Sequence, residues 1–250
     1  MSEICHLSRA PIVEALIHFQ ANAAERWSSE TARAVLQPAW PEHTEAQEMK
    51  QVKWEWKREA GKEPEQKVTF PGVDSIFFRA PGQPTVYHAR RDGLIVSWLN
   101  PYANWETFRD TALAAWAKYR EILAPEPLHS VALRYINRLE FPLADFRLSE
   151  FFASPPFIPE DLKGWGFLTF QQNAVFGVPD SGCTVHVSFT RIDGAPETAT
   201  FSLDIEVRLK EPLPATERRA EDVLEEMRVL KNKAFFGMLT PAAIERYKKP

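Results

Sequence analysis

The sequence is short of cysteine, of glycine and of unbroken apolar stretches, and each shortage argues against a class of protein. Cys5 and Cys183 are its two cysteines and lie far apart, which speaks against a disulfide scaffold and for a reducing compartment. Its ten glycines form neither GxGxxG nor GxxxxGK[ST], so no phosphate-cradling loop is offered to a nucleotide. No run approaches the roughly 20 apolar residues that span a bilayer. The opening Met-Ser-Glu-Ile-Cys-His-Leu-Ser-Arg has no apolar signal core. A cytoplasmic protein without membrane association is therefore expected. The formal net charge of -4 lacks the basic excess that phosphate contacts leave on a general nucleic-acid binder.

Proline and tryptophan, by contrast, are plentiful at 20 and eight, which suits a loop-rich α+β chain. The clearest signal is the alternation from Val131 to Phe141. Val131, Leu133, Tyr135, Leu139 and Phe141 share one side of an extended strand, with Asn137 as their polar companion. Ala132, Arg134, Ile136, Arg138 and Glu140 share the other. Pro11 to Phe19 repeats the pattern, with Val13, Ala15, Ile17 and Phe19 apolar and Glu14 and His18 on the mixed side. Residues 52–99 read as β, with Trp54 and Trp56 core-facing and Asp92-Gly93 predicting a hairpin. Asn104 predicts the cap of a helix over Trp105 to Leu123, whose apolar residues recur at helical spacing. Further strands are expected near 167–175, 184–191 and 198–209. Thr216 reads as the cap of a second long helix to about Phe236, and Thr240-Pro241 as the start of a terminal one. Lys231, Lys233, Lys248 and Lys249 read as a solvated face.

Taken coarsely, the order strand, short helical region, several strands, long helix occurs twice, over 1–125 and 126–250. The expected fold is α+β with two similar halves in one compact unit. Each half would be a mainly antiparallel sheet with a short and a long helix, a duplicated β-α-β-β-β-α arrangement of helix-grip type. An offset of 120 lays Glu14 on Arg134 and His18 on Arg138 without any identity, so the repeat would be architectural. The stretches at 58–66 and 154–166 read as loops of more than ordinary length.

Three short motifs follow one another along the chain: Pro11-Ile12-x-Glu14-Ala15, Leu133-Arg134-Tyr135-x-Asn137-Arg138, and Leu230-x-Asn232-Lys233-x-Phe235-Phe236 ahead of Leu239-Thr240. In this order and at this length the chain resembles a sporadically distributed family of uncharacterised bacterial proteins. The resemblance implies a soluble cytoplasmic protein of accessory or mobile gene clusters. It brings no activity and no site residues with it.

Arg134 and Arg138 stand roughly 13 Å apart on one strand face. A guanidinium fork suits carboxylate or phosphate, so an anion site joined by Arg208 or His186 is one reading. The other is a cross-strand charge ladder with Asp204, Glu206 or Glu14. Glu14 and His18 could supply a base only with help from elsewhere in the fold. Asn137, if buried, must be satisfied by backbone groups or by a ligand. The candidate binding set is thus Glu14, His18, Arg134, Asn137, Arg138, His186 and Arg208. The six histidines show no HxH, HExxH or Cys/His spacing, so no metal and no other cofactor is expected. The expected function is a non-enzymatic module that binds a protein partner or a small anionic ligand. The alternative is a small enzyme acting on a phosphate or carboxylate at Arg134 and Arg138. Arginines paired to acids would speak against both anion readings.

Overall fold

The computed structural model describes residues 7–21, 27, 29–50, 53–57, 65–69, 73–125, 128–144, 146–162, 165, 168–209 and 220–248. The first part of the chain holds β1 (Ile12–Gln20), α1 (Ser29–Leu36), β2 (Glu45–Lys50), β3 (Lys53–Lys57), β4 (Glu65–Thr69), β5 (Val73–Arg79), β6 (Thr85–Arg90), β7 (Gly93–Leu99) and α2 (Trp105–Leu123). There follow β8 (Ser130–Pro142), α3 (Leu148–Phe151), β9 (Gln171–Gly177), β10 (Cys183–Ile192), β11 (Thr198–Leu209), α4 (Ala220–Met238) and α5 (Pro241–Lys248).

Nine strands form one antiparallel sheet in the order β2-β5-β6-β7-β1-β8-β11-β10-β9, while β3 and β4 pair as a separate hairpin. The expectation of two similar helix-grip halves, each with its own sheet, is corrected by this order. Strand β1 bonds to β7 along one edge and to β8 along the other, from Glu14↔Ile136 to Gln20↔Ser130. The two predicted opening strands are therefore the paired centre of a single sheet, to which the earlier segment gives five strands and the later one four. The physical reason is edge satisfaction. A long amphipathic strand left open exposes unpaired N–H and C=O groups, and pairing β1 with β8 removes two such edges at once.

The described helices pack on one face of this sheet. Trp116 of α2 stacks on Phe19 at 5.2 Å, Trp40 after α1 meets Phe78 and Tyr87, and α4 contacts β8, β10 and β11. That side buries Ala15, Ile17, Phe19, Leu133, Tyr135, Leu203 and Ile205, as the strand alternation requires. The Asn104 side chain accepts the Thr107 N–H at 2.8 Å and caps α2, with Glu106 in the first turn. Thr240 does the same for α5 by accepting the Ala243 N–H.

Gly93 closes the Asp92-Gly93 hairpin with φ +134, and a Cβ there would meet the Phe19 carbonyl oxygen at 2.0 Å. Glycine is thus required both by the backbone angle and by the approach of β1. The pairing of β1 and β8 slips by one residue between Ile12 and Glu14, opposite Asn137 and Ile136. Asn137, 2% exposed, donates to the Leu203 carbonyl at 2.9 Å and to its near neighbour Tyr135. It is a buried amide satisfied by backbone beside a bulge.

Candidate functional site

The sheet face opposite the helices carries six of the seven candidate residues; Asn137 points to the core. Register sets them in rows across the strands. One row runs His88, Ile95, His18, Ala132, Arg208, Thr184. The next runs Val86, Ser97, Leu16, Arg134, Glu206, His186, and a third runs Leu99, Glu14, Ile136, Asp204, Ser188. The fold thus gathers Arg134, Arg208 and His186 into neighbouring positions. It keeps Glu14 and His18 four residues apart on one strand.

The candidate arginines on this face are engaged. Arg134 Nε donates to Asp204 Oδ1 at 2.8 Å and a terminal nitrogen donates to Asp204 Oδ2, a two-pronged diagonal contact from β8 to β11. The Asp204 bond outweighs burial and holds the Arg134 guanidinium above its ordinary pKa. Glu14 acts on Arg134 only through space. Arg138 Nε donates to Glu140 at 2.7 Å along its own strand, and Arg208 pairs with Glu206 in the same way. His186 shares a hydrogen bond with the Thr184 hydroxyl at 3.1 Å. Arg134–Asp204 crosses between strands as a charge ladder would, whereas Arg138 and Arg208 pair along their own strands and not with the acids expected opposite them.

His18 and His88 occupy the hairpin end of the face. Each has an Nε2 that is buried without a hydrogen-bond partner, and Phe77 stacks on His88 at 3.8 Å. Burial lowers the His18 pKa, with Asp92 opposing and Arg90 assisting. Burial, then Arg90, then His18 bring His88 down to about 4. Burial favours the neutral form of both imidazoles, and the enclosed Nε2 of His18 is not presented to a substrate on the face.

On the helix side lies a polar cluster that the sequence reading missed. The Tyr102 and Tyr135 hydroxyls are 2.8 Å apart. Lys231 of α4 places its ammonium 3.9 Å from the Tyr135 ring centroid and donates to Asn232 Oδ1 at 2.6 Å. Lys231 is half-buried as a residue, and its head group is enclosed. Burial and the nearby Arg228 bring its pKa down to about 7, while the ring face and the amide oxygen favour the charged form. Alongside, Glu225 accepts from Trp105 Nε1 and from Arg109, each at 2.6 Å. Burial works against the Glu225 carboxylate, yet these bonds outweigh it and hold it below its usual range. The signal was available: Met227, Lys231 and Phe235 recur every four residues, which places Lys231 on the apolar stripe of α4 and not on a solvated face.

At the far end of the same side, a groove of about 720 Å³ opens between the segment 143–158 and the start of β11. Its lining includes Phe146, Leu148, Pro156, Phe157, Phe201 and Arg191. Trp98 and Trp105 are buried in the core, whereas the side chains of Trp54 and Trp56, expected to face the core, lie outside the described residues, as does Thr216. No protein-family model and no curated protein matches the chain.

Proposed function

We propose that this protein is a non-enzymatic binding module that presents the sheet face opposite its described helices to a protein partner. The observation that carries the reading is the closed Arg134–Asp204 pair at the centre of that face. A guanidinium with both prongs of its fork taken by one carboxylate offers little to a small anion. It does form part of a surface of both charge signs with Leu16 and Ile136 interleaved, the composition that suits a protein counterpart. Size agrees. Eight inter-strand spacings of about 4.8 Å give a platform roughly 40 Å wide, ample for the ~800 Å² that one partner contributes to a standard interface. The enzyme reading at Arg134 and Arg138 would have to displace Asp204 and Glu140 before binding substrate, and the His18 Nε2 is enclosed, not presented to a substrate on the face.

The test is site-specific photo-crosslinking in cells that make the protein. A benzophenone amino acid is placed at Leu16 or Ser188 on the open face, and at Val229 on the outer side of α4, which is 59% exposed. One adduct of discrete mass from the face positions, absent from Val229 and lost with Asp204→Arg, is expected. Identical adducts from Val229, or none from the face, would overturn the proposal. Stabilisation of the purified protein by phosphate or small carboxylates that disappears in Arg134→Ala would instead favour the enzyme.

A further inference from the structure

The groove at the ends of β10 and β11 lies on the helix side and is independent of the platform. We infer that it binds a small apolar carboxylic acid, with the acyl or aromatic body on its phenylalanine floor and the carboxylate at Arg191.

The floor belongs to a continuous aromatic cluster. Phe146 stacks on Phe201 at 5.4 Å and on Phe151 at 5.4 Å, and Phe201 meets Phe152 and Phe189. Such a floor is rigid and dry, so the groove does not depend on a ligand to hold its shape. Pro155 and Pro156 stiffen one wall. Above them Phe157 lines the groove while 89% of its surface faces solvent, an arrangement that an apolar body lying beneath the ring would relieve. About 720 Å³ falls in the range of ordinary small-molecule sites, which are mainly apolar with a few placed polar groups.

Two polar groups specify the head. Among the described residues of the lining Arg191 is the charged one, and Ser149 adds a hydroxyl. Both are hydrogen-bond donors, so an anionic acceptor is selected and an ammonium repelled. Arg191 has a partner already, but a guanidinium offers five N–H donors and can hold a second acceptor. Arg191 borders an apolar floor, where a charge-assisted bond is less screened.

The experiment is calorimetric titration of the full chain with decanoate, decan-1-ol and decylammonium, whose tails are equal and whose heads differ. Decanoate should bind most tightly and decylammonium least. Arg191→Gln should weaken decanoate about tenfold or more and leave decan-1-ol nearly unchanged. Leu148→Trp, which fills the groove, should abolish binding of both, with circular dichroism confirming that the variant folds. No heat with decanoate, equal binding of decylammonium, or an unaffected Leu148→Trp would each overturn the inference. The headgroup series on the wild-type protein decides the matter even where a variant does not fold.

Discussion

Replacing Lys231 by methionine keeps the stem length and removes the charge, and its effect on stability can be worked out with its sign. In the folded protein the Lys231 pKa falls from its ordinary 10.5 to about 7. Between those values the unfolded chain binds more protons than the folded one, so wild-type stability rises with pH through the window. From pH 7 to pH 9 the rise is at most about 2 kcal/mol. The Tyr135 ring and the Asn232 oxygen, which stabilise the ammonium, reduce it toward about 1 kcal/mol. Tyr102 and Glu225 are present in both proteins and their own titrations cancel in the difference, whereas the repulsion from Arg228 is lost with the charge and belongs to it. Urea unfolding of wild type and Lys231→Met from about pH 6.5 to about pH 9 measures it below the range where tyrosines ionise. The variant should be the more stable protein at pH 7 by about 1–2 kcal/mol, with the gap closing as pH rises. A gap that does not change with pH would refute the reasoning. So would a variant less stable at pH 7, since the ring and amide contacts would then exceed the cost of burial.

The charge pairs on the open face should differ in weight. Asp204→Ala strands Arg134, whose side chain is 38% exposed, and after allowance for solvent screening should cost about 1–2 kcal/mol. Arg138→Ala removes a pair exposed at both ends and should cost within about 0.5 kcal/mol; equal losses in urea unfolding would refute the distinction. His88 carries a folded pKa of about 4 against an ordinary 6.5, so the unfolded chain takes up the proton first as pH falls. Wild-type stability should therefore drop by up to about 2 kcal/mol between pH 7 and pH 4.5, and His88→Phe should flatten that acid limb. An unchanged limb would show that other groups set the acid response.

Much of the local structure was legible because local signals decide it. The strand at Val131–Phe141, the cap at Asn104, the hairpin at Asp92-Gly93 and the start at Thr240-Pro241 each rest on alternation, a side-chain oxygen or a backbone angle, all visible in a few consecutive residues. The bonding of Asn137 to backbone also follows from one polar residue on an apolar stripe. What could not be read was pairing between distant strands. Nothing in Pro11–Phe19 says that its second edge belongs to β8, so a repeated order of elements suggested two sheets where there is one. For the same reason the diagonal choice of Asp204 over Glu206 by Arg134 was open, as both acids lie within reach of the strand face. Lys231 was misread for a different reason: its chemistry was weighed above its helical position. The groove at Phe157 is built from a proline-broken connection, where no periodicity exists to be read.

The central place of β1 also bears on how the chain acquires its structure in time. Its partners β7 and β8 arrive late in synthesis: Gln20 pairs with Ser130, about 110 residues further on. At elongation rates of about 5–20 residues per second the strand waits on the order of 5–20 s for that neighbour. A hairpin such as β6–β7 can close as soon as it emerges, whereas β1 must find β7 and β8 across long intervening stretches of chain. Such non-local pairing makes for slow folding and leaves an apolar ribbon with two open edges on the nascent chain. A chaperone that shields that ribbon would shorten the most exposed stage of the protein's history.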